Sequence, residues 1–287
     1  MINSIYVDWL KKQNIQLYRS GNTLWRKYQG ALIPAPAAPC FISLEGGEAK
    51  SLLKESEAWL LRYSSNPCNE ETEWWYIICD SYSPDKLSSN ARNQIKRANR
   101  KCFVQMIDAE WLAQNGYECY STAYARYNNA KSVEADAFSN GIRRTVGGPF
   151  EYWGVFVDDS LAGYCQCIVE NNDISTNVMK YHPSYLKYYT SYALITSMIN
   201  YYVTEKGKII NNGSRSIAHD TNIQDLLLKL GFRRQFCRLN VEYQPWLKVA
   251  IQTFFPLRKL IGRLPRRGSM HKLQALLHLE ELRRRSY

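Results

Sequence analysis

Hydrophobic and polar residues alternate with different periods along the chain, and these periods predict both strands and helices. The stretch "NTLWRKYQGALIPAPAAP" predicts a strand closed by prolines, and "EAKSLLKESEAWLLRYS", residues 48–64, predicts an amphipathic helix. The apolar run "WWYIICD" is typical of a buried strand. The first part of the chain therefore indicates an α/β arrangement.

Three apolar runs in the middle of the chain predict an antiparallel meander. They read "YWGVFV", "LAGYCQCIVE" and "ISTNVMKYH", and turn signals separate them at residues 158–160 and 171–173. Connections this short join antiparallel neighbours, because a parallel pair needs a long crossover.

A helix, a strand, a second helix and a last strand are predicted after the meander. In "TSYALITSMINYY" the residues Ile195, Met198, Ile199 and Tyr202 recur at helical spacing, so one side of this helix is expected to pack on the sheet. The run "KIIN" predicts a short strand that is parallel to the third meander strand. Residues 222–230 predict the second helix, and "QFCRLNVEY" predicts one half-exposed edge strand.

The segment "LSSNARNQIKRANRK", residues 87–101, predicts a helix with one basic side. Arg92, Lys96 and Arg100 recur at four-residue steps on that side. A basic stripe is typical of a solvated helix face, but it also suits an anionic substrate, and the pattern alone leaves both interpretations open.

Length and cysteine content narrow the class of protein. The 287 residues can form one large domain or two smaller ones without disulfide or metal support. Eight cysteines without a Cys-x-x-Cys pair, in a chain whose first residues do not resemble a signal peptide, indicate reduced thiols and a cytoplasmic location. We expect Cys165 and Cys167 to be small core residues, and we expect no metal site and no membrane-spanning helix.

The net charge of +11 is concentrated near the end of the chain. From Trp246 onward there are ten Lys and Arg residues against two Glu, whereas the first 245 residues contain 27 basic and 24 acidic residues. Because the body is nearly neutral, the charge indicates a functional or merely solvating tail and not a nucleic-acid reader.

Element order and local motifs together resemble the GCN5-related N-acetyltransferase (GNAT) superfamily, and within it the FemAB-like acyltransferase branch. Three stretches carry the resemblance: "LSSNARNQIKRANRK", "HPSYLKYYTSYALITSMINYYVTEKG" and "IINNGSRSIAHDTNIQDLLLKLGFRR". The resemblance implies an α/β (α+β) fold with a GNAT-like mixed, mostly antiparallel sheet flanked by helices. We expect an N-terminal α/β extension at 1–72, the acyltransferase domain at 73–245 and a basic amphipathic helical tail at 246–287.

In this superfamily a splayed strand and the following helix hold an acyl-coenzyme A, so acetyl-CoA or another acyl-CoA is the expected donor. The free N–H groups and positive end of a helix favour an anion such as the pyrophosphate. The residues expected to contact the donor are Met179, Lys180, Lys187, Tyr189, Thr190, Ser191 and Tyr192. Thr190 and Ser191 also fit as ordinary N-caps, and the glycine-containing signature common in the superfamily is absent at this turn.

Amide formation needs an amine held against a thioester carbonyl, donors for the developing oxyanion and a route for the proton. The candidate catalytic residues are Tyr181, Asn212, Ser214, Arg215 and His219. Tyr181 could protonate the departing thiolate, and His219 could accept a proton or only tether its loop. Arg215 could bind an anion or pair with a nearby aspartate at 220 or 225. Expected acceptor contacts are Arg92, Lys96 and Ser216.

The donor and acceptor are less sharply defined by the sequence. FemAB proteins use aminoacyl-tRNA and have two GNAT-like halves, and residues 1–72 are too short for a complete half, so we favour an acyl-CoA donor. We expect the acceptor to be the amine of a small molecule, a sugar or a lipid-linked compound. A tRNA-dependent transferase and a catalytically inactive scaffold are the alternatives.

The tail has two interpretations that stay open at this point. Leu247, Ile251, Phe254 and Phe255 stand among basic residues, so the segment could lie on the anionic inner face of a membrane. It could equally form short helices that pack on the domain with their arginines outward.

Overall fold

The computed structural model describes residues 4–125, 131–217, 222–265 and 268–287. The first part of the chain forms α1 (Ile5–Lys12), β1 (Leu17–Ser20), β2 (Thr23–Tyr28), β3 (Ala31–Pro34), α2 (Glu48–Ser56), β4 (Leu60–Ser65) and β5 (Trp75–Cys79). The middle part forms α3 (Ser89–Asn99), β6 (Phe103–Ile107), α4 (Ala109–Asn115), α5 (Tyr117–Tyr124), α6 (Ala135–Arg143), β7 (Phe150–Val157), β8 (Ser160–Glu170) and β9 (Asp173–Tyr181). The last part forms α7 (Thr190–Ile199), β10 (Ile209–Ser214), α8 (Ile223–Lys229), β11 (Arg233–Phe236), β12 (Arg238–Tyr243), α9 (Pro245–Phe254), α10 (Arg258–Ile261) and α11 (Gly268–Arg285).

The strands form two mixed sheets. One has the order β1-β2-β3-β4-β12, and the other has the order β11-β5-β10-β9-β8-β7-β6. Adjacent strands from β6 to β9 are antiparallel, while β9 and β10 are parallel, as are β3 and β4. The mixed, mostly antiparallel architecture expected from the sequence is confirmed, including the meander and the parallel strand that follows it.

The chain divides into two compact units of similar size. The first unit contains Met1–Tyr76, Ser214–Asn222 and Arg234–Tyr287, and the second contains Ile77–Gly213 and Ile223–Arg233. The functional division at 1–72, 73–245 and 246–287 stays a prediction.

The first unit is built around the five-stranded sheet. One apolar cluster contains Trp25, Leu32 and Leu61, and another joins Trp74 and Leu239 to residues of α9 and α11. The helices of the C-terminal segment are therefore part of this unit's core, because Leu247, Ile251 and Leu279 of that segment are buried there.

The second unit places α7 on one side of the β6–β8 strands, where it also packs on α3. Seven of its ten residues are buried, which is more than a one-sided stripe. The residues predicted to face the sheet, Ile195, Met198, Ile199 and Tyr202, are all buried. The helix continues as a π-helical segment, Asn200–Glu205. An apolar cluster in the same unit joins α4, α5 and α6 to Tyr152 and Tyr164 of the seven-stranded sheet.

The single strand predicted over 22–39 is a hairpin, because β2 and β3 pair antiparallel across a turn at Gln29 and Gly30, both of which have positive φ. Two further predicted elements were wrong in extent. The segment 48–64 is a helix only to Ser56, because Glu57 adopts a left-handed conformation (φ 54°) and the chain then enters β4. The single strand predicted over 235–243 is two strands, β11 and β12, which belong to different sheets. In both cases tertiary pairing overrides a local periodicity that fits either arrangement.

Candidate functional site

A cleft begins where β9 and β10 separate. Their parallel pairing covers Ile209–Asn211 against Asp173–Ser175 and then stops, although β9 continues to Tyr181. The hydroxyl of Thr176 makes the last bridge, because it donates to Asn211 O at 3.0 Å and accepts from Asn212 Nδ2 at 2.8 Å. Beyond Thr176 the β10 side of β9 has no paired strand residue among those described, so its backbone groups can bind another molecule.

A β-bulge lies at the point of separation. Gln166 is paired with Val178 and Cys167 with Thr176, so Asn177 is an extra residue in β9. Its side chain donates to Gln166 Oε1 at 2.7 Å, and Gln166 in turn donates to Tyr152 OH at 2.6 Å. A bulge bends its strand and increases its twist, which accounts for the divergence of β9 from β10. Asn177 was not among the predicted site residues.

The hydrogen bonds of α7 begin at Tyr189. Tyr192 N and Ala193 N donate to Tyr189 O at 2.9 and 3.2 Å, so the N–H groups of Thr190 and Ser191 lie before the first hydrogen bond within the helix. No side chain caps the helix, so neither Thr190 nor Ser191 acts as the N-cap. The Thr190 hydroxyl is completely buried and has no hydrogen-bond partner among the described residues. The positive end of the helix dipole suits an anion.

Tyr189 is the N-cap residue of α7 and has a left-handed backbone (φ 59°, ψ 37°). This region normally favours glycine, and its occupation by a bulky residue is uncommon. The turn therefore has the backbone conformation that a glycine would supply, although the sequence has no glycine there.

Arg97 of α3 lies beside this turn. Its guanidinium carbon is 5.4 Å from the centre of the Tyr189 ring, and Nη1 donates to Tyr189 OH at 3.3 Å. Cys102 Sγ, just after α3, lies 3.6 Å from Tyr188 O. From Lys86 to Ile107 the sequence has six Lys and Arg residues and no acidic residue, so α3 brings positive charge to the start of α7. Arg97 was not among the predicted site residues.

The other basic residues predicted to contact the donor point to different surroundings. Lys187 is exposed, and its Nζ lies 5.1 Å from the centre of the Tyr188 ring. Lys180 Nζ lies 3.9 Å from the centre of the Tyr124 ring, and burial lowers the pKa of this lysine. Because side chains alternate along a strand, Lys180 faces away from Met179 and Tyr181.

Met179 and Tyr181 share one face of β9 beside the cleft. Tyr181 OH donates to Met179 Sδ at 3.7 Å, and Tyr181 is paired with Gly163 of β8. A Cβ atom on Gly163 would lie 2.6 Å from the Tyr181 ring, so a glycine is needed for this close approach. Burial raises the pKa of Tyr181 well above its ordinary value, so its hydroxyl stays protonated at neutral pH.

The predicted residues at the end of β10 and just after it are divided between the units. Asn212 belongs to the second unit and is fixed by its bond to Thr176, while Ser214, Arg215 and Ser216 belong to the first. Arg215 pairs with the carboxylate of Glu73, donates to Glu73 O at 3.0 Å and stacks 4.5 Å from the centre of the Trp75 ring. Among the described residues its partner is thus Glu73; Asp220, one of the two aspartates named as alternatives from the sequence, lies outside the described residues.

Two histidines bear on the predicted site. His219, the proposed proton acceptor, lies outside the described residues. His182 follows β9 directly, and its Nδ1 accepts from Ser184 N at 3.3 Å, which leaves Nε2 to carry the proton in the neutral ring. Nε2 is 3.8 Å from Glu118 Oε1.

The predicted acceptor residues on α3 have separate roles. Arg92 Nη1 donates to the carbonyl oxygens of Asp85 and Leu87 at 3.1 and 2.7 Å, whereas Lys96 is exposed. Leu87 also lines a cavity of about 430 Å³. Its other lining residues are Ser81, Tyr82, Ser83, Lys86, Ser88, Leu228, Lys229 and Gly231. Arg92 thus holds a loop that forms one wall of a polar cavity.

Within the described residues, no group of three or more His, Cys, Asp or Glu side chains could hold a metal ion. Cys165 and Cys167 are fully buried with their sulfur atoms 3.8 Å apart, as core residues would be. In the same part of the chain, no helix is both long and apolar enough to cross a bilayer.

Comparison with known proteins identifies the fold. No family model matches the sequence, and no curated protein is similar enough in sequence to match. Among solved structures, the chain is similar to FemX, with a TM-score of 0.56 and 8% identity over 86% of this chain and 92% of that one.

The C-terminal domain (DUF2156) of a lysylphosphatidylglycerol synthetase candidate from Agrobacterium fabrum gives a TM-score of 0.55 and 9% identity, covering 88% of this chain and 92% of that one. L-PGS from Bacillus licheniformis gives 0.52 and 10%, covering 91% and 96%. With the strand order, these likenesses confirm the GNAT-like, FemAB-like fold.

Proposed function

We propose that the second unit is an N-acyltransferase that moves an acyl group, acetyl first among them, from acyl-CoA to an amine. Two observations support this most: β9 separates from β10, and α7, the next α-helix after β9 in the chain, begins without a side-chain cap. An extended arm could pair with the open side of β9 while its anionic end meets the positive end of the α7 dipole.

Positive side chains near the start of α7 support an anionic donor. Arg97 contacts Tyr189, and Lys187 is exposed in the same turn. A guanidinium bonds two phosphate oxygens at once, and a helix N-terminus adds further donors. In this proposal Arg97, Lys187 and the α7 amides bind the pyrophosphate.

The proposed reaction is direct attack in a ternary complex. The amine nitrogen forms a bond to the thioester carbonyl, the carbon–sulfur bond breaks, and the thiolate takes a proton. Tyr181 is the proposed proton donor because of its place at the end of β9, beyond the residues that pair with β10. The unpaired backbone at the Asn177 bulge is the proposed source of donors for the oxyanion, and His219 stays the proposed proton acceptor.

The cysteines support a mechanism without an acyl-enzyme. The thiolate is the reactive form of cysteine, and burial raises the pKa of Cys79, Cys119 and Cys237 to about 12. Burial likewise raises the pKa of Cys102 and Cys167. We therefore propose no covalent intermediate on these residues.

The acceptor is proposed to be a small-molecule, sugar or lipid-linked amine. The polar cavity next to the loop held by Arg92 is lined by three serines, Tyr82 and two lysines, a composition that suits a hydroxyl-rich or phosphorylated compound. Lys96 and Ser216 stay proposed acceptor contacts.

Ligand-induced stabilisation tests the donor. Acetyl-CoA at a hundred times its dissociation constant should raise the free energy of unfolding by about 2.7 kcal/mol, because it binds only the folded state. Acetyl-pantetheine, which lacks the pyrophosphate, should stabilise far less at the same concentration. The measurement is the melting temperature, followed by release of free CoA thiol with a panel of amines. If no acyl-CoA of any chain length shifts the melting temperature, the donor assignment is wrong.

Aminoacyl-tRNA is the second candidate donor, and one observation favours it. The first unit is not limited to residues 1–72: it is completed by C-terminal segments and has its own five-stranded sheet. The N-terminal part is therefore completed by enough of the C-terminal chain to form a larger unit than residues 1–72 alone. Stabilisation by aminoacyl-tRNA but not by acyl-CoA would favour this donor, and no response to either would favour a scaffold.

A further inference from the structure

Exposed apolar side chains are concentrated in a short C-terminal segment of the first unit. Six large hydrophobic residues between 246 and 264 are at least 40% exposed: Trp246, Val249, Phe254, Leu257, Leu260 and Leu264. We call residues 246–264 the exposed apolar segment. Single exposed apolar residues are ordinary, but a concentration of this kind marks an interaction surface.

This exposure is not due to a loosely attached tail. Leu247 and Ile251 of α9 are buried in the first unit's core, and Phe255 and Ile261 are buried in a cluster with α11. Three of the four residues expected from the sequence to face a membrane, Leu247, Ile251 and Phe255, are therefore turned inward. The segment is held by one apolar side and presents a second, different apolar side outward.

The outward residues follow helical spacing. Trp246 and Val249 are three positions apart on α9, and both are at least 60% exposed. Leu257, Leu260 and Leu264 repeat the i, i+3, i+7 spacing across α10, with Leu260 also 60% exposed. Such spacing produces a continuous stripe along each helix.

Trp246 also contacts a second exposed tryptophan. Its ring centre is 6.4 Å from that of Trp59, in an edge-to-face arrangement, and Lys272 Nζ lies 5.8 Å from the Trp59 ring centre. Trp59 is 43% exposed. Tryptophan and lysine together are typical of side chains that lie at the boundary between lipid headgroups and acyl chains.

The charge of this region favours one class of partner. From Gln244 to Leu279 the sequence has seven Lys and Arg residues and no Asp or Glu. Lys248, Lys259 and Arg263 are exposed and form no ion pair with any described residue. A protein–protein interface is usually depleted in lysine, whereas an anionic bilayer attracts cations next to inserted apolar groups.

We infer that the exposed apolar segment, with Trp59, docks this protein onto the surface of an anionic lipid bilayer. Trp59, Trp246, Val249 and Leu260 enter the headgroup region, while Lys248 and Lys259 meet lipid phosphates. This inference concerns the first unit and does not depend on the proposed acyl transfer.

Vesicle flotation with the full chain tests the inference. We expect binding to vesicles of phosphatidylglycerol and phosphatidylcholine that is at least tenfold stronger than binding to phosphatidylcholine alone. The variant V249S/L260S should lose at least tenfold of this binding. Val146→Ser is the matched control, because Val146 of the second unit is as exposed as Val249 and should not affect flotation.

The charge contribution has its own variant. Lys248→Glu with Lys259→Glu should also reduce binding to anionic vesicles by at least tenfold, whereas Lys131→Glu, at an exposed position of the second unit, should not. Unchanged circular dichroism and melting temperature would show that each variant is folded. Equal flotation of patch and control variants would overturn the inference. The inference would also be overturned if the protein forms a dimer without vesicles and V249S/L260S dissociates that dimer, because the exposed apolar segment would then be a protein–protein interface.

Discussion

Arg97 shows how one side chain changes the character of the α7 turn. It lies on α3, yet its guanidinium reaches the ring and hydroxyl of Tyr189 at the start of α7. Arg92 and Lys96 were selected from the same helix by their four-residue spacing, but Arg92 is engaged with carbonyl groups of its own loop. The basic residues of α3 thus make different contacts: Arg92 binds its own loop, and Arg97 contacts the α7 turn.

Replacing Arg97 should weaken donor binding. We expect Arg97→Ala to raise the dissociation constant for acetyl-CoA about tenfold, the scale of one charge-assisted hydrogen bond. Arg97→Lys should have an intermediate effect, because lysine keeps the charge but not the planar contact with Tyr189. Calorimetric titration measures both.

Arg144→Ala removes an equally exposed arginine that follows α6 and is the control. If it weakens binding as much as Arg97→Ala, only the overall charge matters and the assignment of Arg97 fails.

The beginning of α7 depends on an unusual backbone at the scale of the element. Tyr189 holds a left-handed conformation, contacts Tyr192 with ring centres 5.9 Å apart and does not cap the helix with its side chain. Left-handed backbone in a bulky residue costs about 1–2 kcal/mol and is found where surrounding structure or function requires it. The turn between β9 and α7 is therefore shaped by its neighbours and not by local preference.

Two truncations of Tyr189 separate the backbone cost from the ring contacts. Tyr189→Gly and Tyr189→Ala lose the same ring, but only glycine tolerates φ 59° without strain. We expect the glycine variant to be more stable than the alanine variant by about 1 kcal/mol in urea unfolding. Equal stabilities, or a more stable alanine variant, would mean that the left-handed conformation is not kept in solution.

The C-terminal segment is integral to the first unit at the scale of the whole molecule. Glu280 of α11 is buried, accepts hydrogen bonds from Arg283 and Arg284 at 2.8 Å, and accepts from Tyr243 of β12 at 3.1 Å. Leu279 and Leu282 enter the same core as Trp74. Removing residues 246–287 would therefore expose this core, so point variants are the sounder way to study the segment.

Glu280 should also give the stability a defined pH dependence. Burial alone would raise its pKa, but the hydrogen bonds from Arg283 and Arg284 outweigh burial and lower the pKa below 4.5. A carboxylate with a lowered folded-state pKa stabilises the protein above its unfolded-state pKa, and this contribution is lost as the pH falls through the folded-state value.

We expect Glu280→Gln to reduce the free energy of unfolding at pH 7 by roughly 3 kcal/mol, the scale for breaking a buried ion pair. The difference from the unmodified protein should shrink as the pH falls below about 4.5. Urea unfolding between pH 7 and pH 3 measures it. A difference that stays constant over this range would show that the ion pair does not contribute.

The sequence by itself determined the order of most elements in the second unit. The meander, α7 and the parallel β10 follow from side-chain periodicity and short turns, such as the one at Asp158 and Asp159, both of which have positive φ. These signals are local, because strand alternation and helical spacing are set by residues a few positions apart. The candidate site was indicated in the same way, by the polar turn between a strand and a buried helix.

Only the tertiary structure decided which side chains meet at that turn and which face outward elsewhere. Arg97 reaches Tyr189 because α3 packs on α7, and Asn177 becomes a bulge residue only when β8 and β9 pair. Along the C-terminal segment, apolar residues occur at helical spacing on two sides of the helix. In the folded unit Leu247 on one side is buried, and Val249 on the other is exposed. Contacts between distant parts of the chain depend on how whole elements pack. A local pattern of apolar and polar residues does not specify which distant element a helix or strand will pack against.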